Sequence, residues 1–291
     1  MIPRALRGFT AILVLAAAVL AGGRGATAVA ADLRPLKQAL TLHASFDLQF
    51  DADFSRGDRT LYFAGGGTSG PAVTTDAINL TGTEGKFGGS LRVAKKNPVR
   101  PYFKGPGAID YLAADWSGTV SLWLKINPDE DLEPGYCDPV QIIAGDTKQG
   151  YIFLEWSRDE SPRHFRYAIR PRFDLWNPRN LDWAKMTDAE RPMVALYRAP
   201  FSRTRWTHVA FTYDRLNSGR AGVGQLYVDG RAMGAITGWD LTFGWQAEQV
   251  QLVLAAAYVG HLDDLAVFDR ALTATEVGQL FGLRGGVADL R

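Results

Sequence analysis

Apolar and polar residues alternate with a period of two along much of this chain. Leu42, Ala44 and Phe46 alternate with His43 and Ser45, and from Thr119 to Ile126 the apolar set Val120, Leu122, Leu124 and Ile126 alternates with Thr119, Ser121, Trp123 and Lys125. Successive side chains of a strand point to opposite faces, so this pattern predicts half-buried antiparallel strands, the second with one tryptophan on its other face. Further strands are expected at Tyr151 to Trp156, Phe165 to Arg170, Trp206 to Tyr213, Gly224 to Val228 and Val250 to Ala255, separated by Gly, Pro, Asn and Asp clusters. Val228-Asp229-Gly230-Arg231 reads as a tight hairpin, because Asp-Gly supplies the two positive-φ residues of a type I′ turn. Helical signals are confined to Thr187 to Glu190 and Ala274 to Phe281, the latter preceded by Thr273 with Glu276 at capping-box spacing. The expected fold class is all-β: a two-sheet antiparallel β-sandwich with a short C-terminal helix.

The N-terminus departs from this pattern. Arg4 and Arg7 precede an apolar run from Phe9 to Ala21, and Ala28-Val29-Ala30 follows as a tripeptide of the kind signal peptidases cut after. The run is too short and too Ala-rich for a stable membrane span, so residues 1–30 are expected to be a secretory signal and 31–291 a single exported domain, secreted or periplasmic, with no membrane span after cleavage. Loss of Arg4, Arg7 and Arg24 turns a formal charge of +1 into about −2, and neither value suits nucleic acid. The single cysteine, Cys137, has no partner for an intramolecular disulfide and no neighbouring cation in sequence, so it reads as a buried, inert thiol.

Five stretches and a closing block, in order, carry a family resemblance. They are Ala44-Ser45-Phe46-Asp47, Gly85 to Val93, Gly118 to Ile126, Arg205 to Asp214 with Gln225-Leu226-Tyr227-Val228-Asp229-Gly230, and the closing block Gly260 to Leu272 with its adjacent acids Asp263 and Asp264. Together they resemble the strands of LamG-like, concanavalin A-like jelly-roll domains, from about Thr41 to Phe281. One departure stands out: Tyr136 to Phe201, rich in Trp, Arg and Pro, is much longer than its counterpart in the family and is expected to be a loop-rich insertion. The resemblance also implies a structural Ca2+, since many such sandwiches hold one between the first strand and the acid that opens the last. The matching positions are Asp47 and Asp264, which would need loop carbonyls and water to complete six to eight oxygens. Asp263 is expected on the face opposite Asp264.

Catalytic patterns are weak. Laminarinase-type hydrolases of this fold carry Glu-x-Asp-x-Glu on one strand; the nearest stretch, Asp129 to Glu133, is bracketed by Pro128 and Pro134 and reads as a solvated loop. Asp47 to Asp58 lacks the glycine spacing and terminal Glu of an EF-hand, and His43, His164, His208 and His261 are scattered. Within the expected insertion, Trp176, Asn177, Arg179 and Trp183 could form a platform on which sugar rings stack and hydroxyls are bound, or could simply pin the loop to the sandwich. Arg163, Arg166, Arg170 and Arg172 fall at spacings that could place three on one strand face, balanced by Asp159, Glu160 and Asp174. The sequence therefore points to a non-catalytic exported module that recognises a glycan, with an envelope or extracellular protein as the other partner class and a hydrolase or lyase as the third reading.

Overall fold

The alternation at Thr119 to Ile126 is realised in Trp116–Lys125, a ten-residue strand at the centre of the first of two antiparallel sheets. The computed structural model describes residues 32–291, which form one compact unit; the expected secretory signal lies outside the described residues. From edge to edge the first sheet runs Arg231–Ile236, Val223–Val228, Thr207–Leu216, Trp116–Lys125, Gly260–Phe268, Leu40–Ala44 and Phe54–Ser55, while Ser90–Val93 also pairs with Gly260–Phe268 and carries Ile78–Thr81. The second runs Met193–Leu196, Phe165–Arg170, Tyr151–Trp156, Cys137–Ala144, Val250–Ala256, Arg100–Lys104, Tyr62–Gly65 and Thr68–Pro71.

The inward faces meet in one large core. Leu42, Val120, Leu122, Leu124, Phe211 and Val267 from the first sheet pack against Ile142, Leu154, Trp156, Tyr167 and Leu252 from the second. One end is closed by aromatic rings: Trp116 lies 4.5 Å from Tyr213, 5.2 Å from Tyr111 and 5.6 Å from Trp245, centroid to centroid. Trp156 and Trp245 are therefore core residues.

Strand Trp116–Lys125 is not half-buried as its alternation predicts, because the outer face of the first sheet is covered too. Helices Arg34–Ala39 and Ala274–Phe281 and the 3-10 turn Gly286–Leu290 lay Leu36, Val277, Leu280 and Val287 over Ala210, Tyr227, Ala266 and Phe268. Trp123 is enclosed between Phe87, His208 and Phe281. The predicted capping box is present, with Thr273 Oγ1 accepting from Glu276 N–H. Asp229 and Gly230 both adopt positive φ, 48° and 73°, as the hairpin required.

The loop-rich insertion expected at 136–201 is corrected by the topology. Four strands of the second sheet, Cys137–Ala144, Tyr151–Trp156, Phe165–Arg170 and Met193–Leu196, come from it, and its longest stretch without strands is 171–192. Residues 128–131, expected to be loop, form a short helix capped by Asn127; Arg203 pairs with Glu130 and Asp131, so these acids do not share a strand face. At one side the two sheets approach edge to edge: a Cβ at Gly234 would lie 2.9 Å from Val194.

Candidate functional site

Strand register decides what the outer face of the second sheet carries. Phe153 stands opposite Gln141 and Ala168, Tyr151 opposite Ile143 and Arg170, and Glu155 opposite Arg166. The intervening Ile152, Leu154 and Trp156 point into the core. Polar side chains are therefore concentrated on one face, where the 171–192 excursion lies over them.

The excursion is fixed by its own polar groups. Asn177 donates from Nδ2 to Leu181 O and accepts from Leu181 N–H, both at 2.9 Å, closing the turn after helix Phe173–Trp176. Trp176 meets Trp183 edge-on at 5.7 Å and is largely buried. The Arg170 guanidinium sits 3.5 Å from the Trp183 ring centroid and 4.7 Å from that of Phe153, and Arg191 lies 4.7 Å from Trp183. Such cation–π pairs contribute about 0.5–2 kcal/mol each, more when shielded from water.

Beneath the excursion is a buried network that sequence reasoning missed. Gln141 Nε2 donates to Asp138 Oδ2 and to the Tyr151 hydroxyl, each at 2.7 Å, and Tyr151 donates to Asp138. Arg166 joins Glu155 at 3.1 Å and Glu160 at 3.2 Å. Burial pushes the carboxyls of Asp138 and Glu155 well above the ordinary range, against the lowering pull of Arg170 on both. The signal for this network was the alternation Tyr151, Phe153, Glu155 against Arg166, Ala168, Arg170, which places both sets on one face once the two strands are paired. Of the four arginines noted in sequence, Arg166 and Arg170 share that face, while Arg163 donates to the main chain of Glu133, Gly135 and Ser157, and Arg172 pairs with Asp174 in solvent.

A cavity of about 230 Å³ opens beside this network, lined among others by Thr147, Lys148, Arg170, Trp176, Asn180 and Trp183. A second, of about 310 Å³, adjoins it through Trp176 and Asn177 and reaches Arg179, Glu190 and Trp239. The four residues predicted as a platform are thus brought together in part. Trp176, Asn177 and Trp183 line the first cavity; Arg179 projects into solvent beside the second and pairs with Glu190 at 3.3 Å. Two donors that belong to the first cavity's lining residues, Arg170 Nε and Trp183 Nε1, are buried without a hydrogen-bond partner, as is Asp138 Oδ1.

The implied calcium pair lies elsewhere, on the outer face of the first sheet. Asp47 Oδ1 accepts from Gly89 N–H at 2.7 Å. Asp264 accepts from Val287 N–H at 3.1 and 3.0 Å on its two oxygens, and Oδ1 is 2.8 Å from His43 Nε2. Asp263 stands opposite Trp123 and Ala266 opposite Ser121, so Asp264 and Leu265 together face Leu122 as a bulge. The extra residue turns Asp263 and Asp264 to the same face, contrary to the expected alternation, and Asp263 accepts from Lys86 and Phe87 N–H at 2.5 and 3.0 Å. Gly85 to Gly89, expected within a strand, is accordingly a turn held by acids on both sides, and the strand begins at Ser90. Both oxygens of Asp264 and Oδ1 of Asp47 are committed to groups of the chain itself. Among the described residues no three His, Cys, Asp or Glu side chains cluster to hold a metal. An ion demanding six to eight oxygens does not fit this arrangement.

Comparison with known proteins bears on the fold. No curated protein matches the sequence. Domain 4 of AbnA, a GH43 extracellular arabinanase from Geobacillus stearothermophilus in complex with arabinotriose, is similar at 18% identity and TM-score 0.52, over 83% of this chain and 97% of that one. The binding domain of botulinum neurotoxin DC is similar in its complex with SialylT (13% identity, TM-score 0.53, 87% of this chain and 51% of that) and with rat synaptotagmin II (12%, 0.55, 88% and 52%). The chain spans about half the length of these neurotoxin chains, and at such identities the likeness is one of fold. A family model described as the concanavalin A-like lectin/glucanases superfamily matches residues 107–278, from before the central strand into the C-terminal helix, and with both sheets and their order in place the chain belongs to this family, Laminin_G_3.

Proposed function

We propose that the protein is a carbohydrate-recognition module whose binding face is the outer face of the second sheet beside the 171–192 excursion. One observation carries this reading: a cavity that combines tryptophan rings with amide, hydroxyl and cationic groups, two of whose lining residues hold buried donors without partners, Arg170 Nε and Trp183 Nε1. A sugar offers an apolar ring face for the tryptophans and hydroxyl oxygens for the donors. Likeness to a domain seen with arabinotriose supports the same class and makes arabinan the first polymer to test. The reading also places the module outside the cytoplasm, supported by the signal-like run Phe9 to Ala21; the mass of the exported protein tests it. Retention of residues 31–291 on immobilised arabinan and other neutral polysaccharides, weakened about tenfold in Trp183→Ala, is the expected result. Absence of retention across the panel would reject it.

A second reading rests on Asp138 and Glu155. Two buried carboxyls with raised pKa on neighbouring strands of one face are the kind of pair that splits glycosidic bonds. Release of smaller sugars by the wild type, abolished by Glu155→Gln, would establish it; retention without release would leave the module non-catalytic.

A further inference from the structure

A different face of the molecule carries charge that the glycan reading does not use. Across the end of the first sheet, strand register sets Asn79 opposite Arg92, Arg92 opposite His261 and His261 opposite Lys125. Their neighbours Leu91, Val93, Leu124 and Leu262 belong to the core, so all four lie on the outer face, in a row beyond the part that the helices cover. Cα positions of Arg92 and Lys125 are two strand spacings apart, roughly 10 Å. Beside this row is a cleft of about 350 Å³ lined by Arg92, Lys125, His261, Arg203 and Asp131, with Val259 and Gly260 between them.

The charges do not cancel. Asp131 is paired with Arg203, which also holds Glu130. Among the described residues neither Arg92 nor Lys125 makes an ion pair: Lys125 Nζ donates to the carbonyl of Glu84 at 3.1 Å and lies 4.9 Å from the Trp206 ring centroid. The Glu84 carboxylate is exposed and reaches only to 3.9 Å from His261 Nε2. Burial, then the charges of Lys125 and Arg92, hold the His261 imidazolium pKa down to about 4. Its Nδ1 is engaged by Ser90 Oγ at 3.0 Å, which leaves Nε2 outside that bond. Two cations without an ion pair and a neutral imidazole edge thus line one cleft, with a partly exposed tryptophan packed beside Lys125 and His261.

We propose that this cleft is a second binding site, for the anionic groups of an acidic polysaccharide. Arg92 and Lys125 would each take a carboxylate or sulfate oxygen, and the row spacing suits charges repeated along a sugar chain better than a single small anion. Trp206, partly exposed and packed beside Lys125, adds an aromatic ring next to the cleft, which is why a glycan is favoured over an acidic peptide. The site is independent of the cavity on the second sheet.

The test measures affinity for polygalacturonate and for dextran sulfate at about 50 mM salt, where surface charge is weakly screened. Poly-glutamate and neutral arabinan serve as controls. Binding to at least one acidic polysaccharide is expected, falling steeply with salt and weakened about tenfold or more in Arg92→Gln/Lys125→Gln, with arabinan retention unchanged. The preferred polymer tells carboxylate from sulfate. Arg92→Glu alone, at an exposed position that leaves the core intact, should weaken binding at least as much. Undiminished binding in both variants, no binding of either polymer by the wild type, or equally tight binding of poly-glutamate would each overturn the proposal. Loss of arabinan retention with acidic binding intact would reject only the site on the second sheet.

Discussion

Asn177 and Trp183 lie six positions apart and illustrate two different uses of a polar or aromatic side chain. Asn177 spends its amide on the Leu181 main chain, so Asn177→Ala should lower unfolding free energy by about 1–3 kcal/mol, read from denaturant melts, by leaving the Leu181 groups unpaired. Trp183 is partly exposed, and Trp183→Ala should weaken glycan retention about tenfold, with a stability loss set by its two cation–π contacts, about 0.5–2 kcal/mol each. Both residues could be named from sequence because Trp and Asn are common in sugar sites. Their division of labour could not, since it depends on which face the turn at 177–181 closes. Glu155 makes the opposite case: invisible as a site residue, it is singled out by burial. Its pKa is raised in the fold toward about 7, so the folded state holds a proton that the unfolded state has lost near pH 4. The stability this contributes is full below about pH 4 and is lost as pH rises toward 7. His208, held neutral by burial with its pKa near 3, works in the other direction over much of that range, so the wild-type melt alone does not isolate the effect. The difference does: Glu155→Gln should gain in Tm relative to wild type between pH 5 and 8, by about 2–4 °C for each kcal/mol recovered.

At the scale of elements, period-two patterning found the strands Tyr151–Trp156 and Phe165–Arg170 to the residue, and the Asp229-Gly230 hairpin with its turn type. It did not reveal that these strands, with Cys137–Ala144 and Met193–Leu196, make up half of the second sheet, because alternation says that a segment is extended and not what it pairs with. Pro139 within Cys137–Ala144 further hid that strand by interrupting its pattern. The bulge at Asp264 escaped for a related reason: one extra residue reverses facing from that point on, and nothing in Leu262 to Phe268 announces it. Its consequence is chemical. With Asp263 and Asp264 holding turns by hydrogen bonds rather than awaiting an ion, calcium added after chelation should leave Tm within about 1 °C, whereas Asp264→Ala should lower it with or without the ion by freeing His43 and the Val287 N–H.

For the molecule as a whole, the two covered faces of the first sheet and the closed aromatic end around Trp116 concentrate stability on one sheet. Trp116→Ala should cost about 3–5 kcal/mol in a denaturant melt, because four aromatic neighbours surround the cavity it would leave. The sandwich itself was legible from strand spacing and from the order of motifs, whereas the covering of its outer face was not: Leu36, Val287 and Leu290 sit in short terminal segments with too few residues to show a helical period. Gly234, where the sheet edges meet, points to one last property. Since Val194 fills the space a side chain would need, the strands Arg231–Ile236 and Met193–Leu196 shield one another, while the opposite edge of the second sheet ends in Thr68–Pro71, a four-residue strand interrupted by Gly70 and finished by Pro71. Neither side of that sheet offers a long run of free peptide groups to a foreign strand, so even crowded copies of the domain are kept from zipping edge to edge into fibrils.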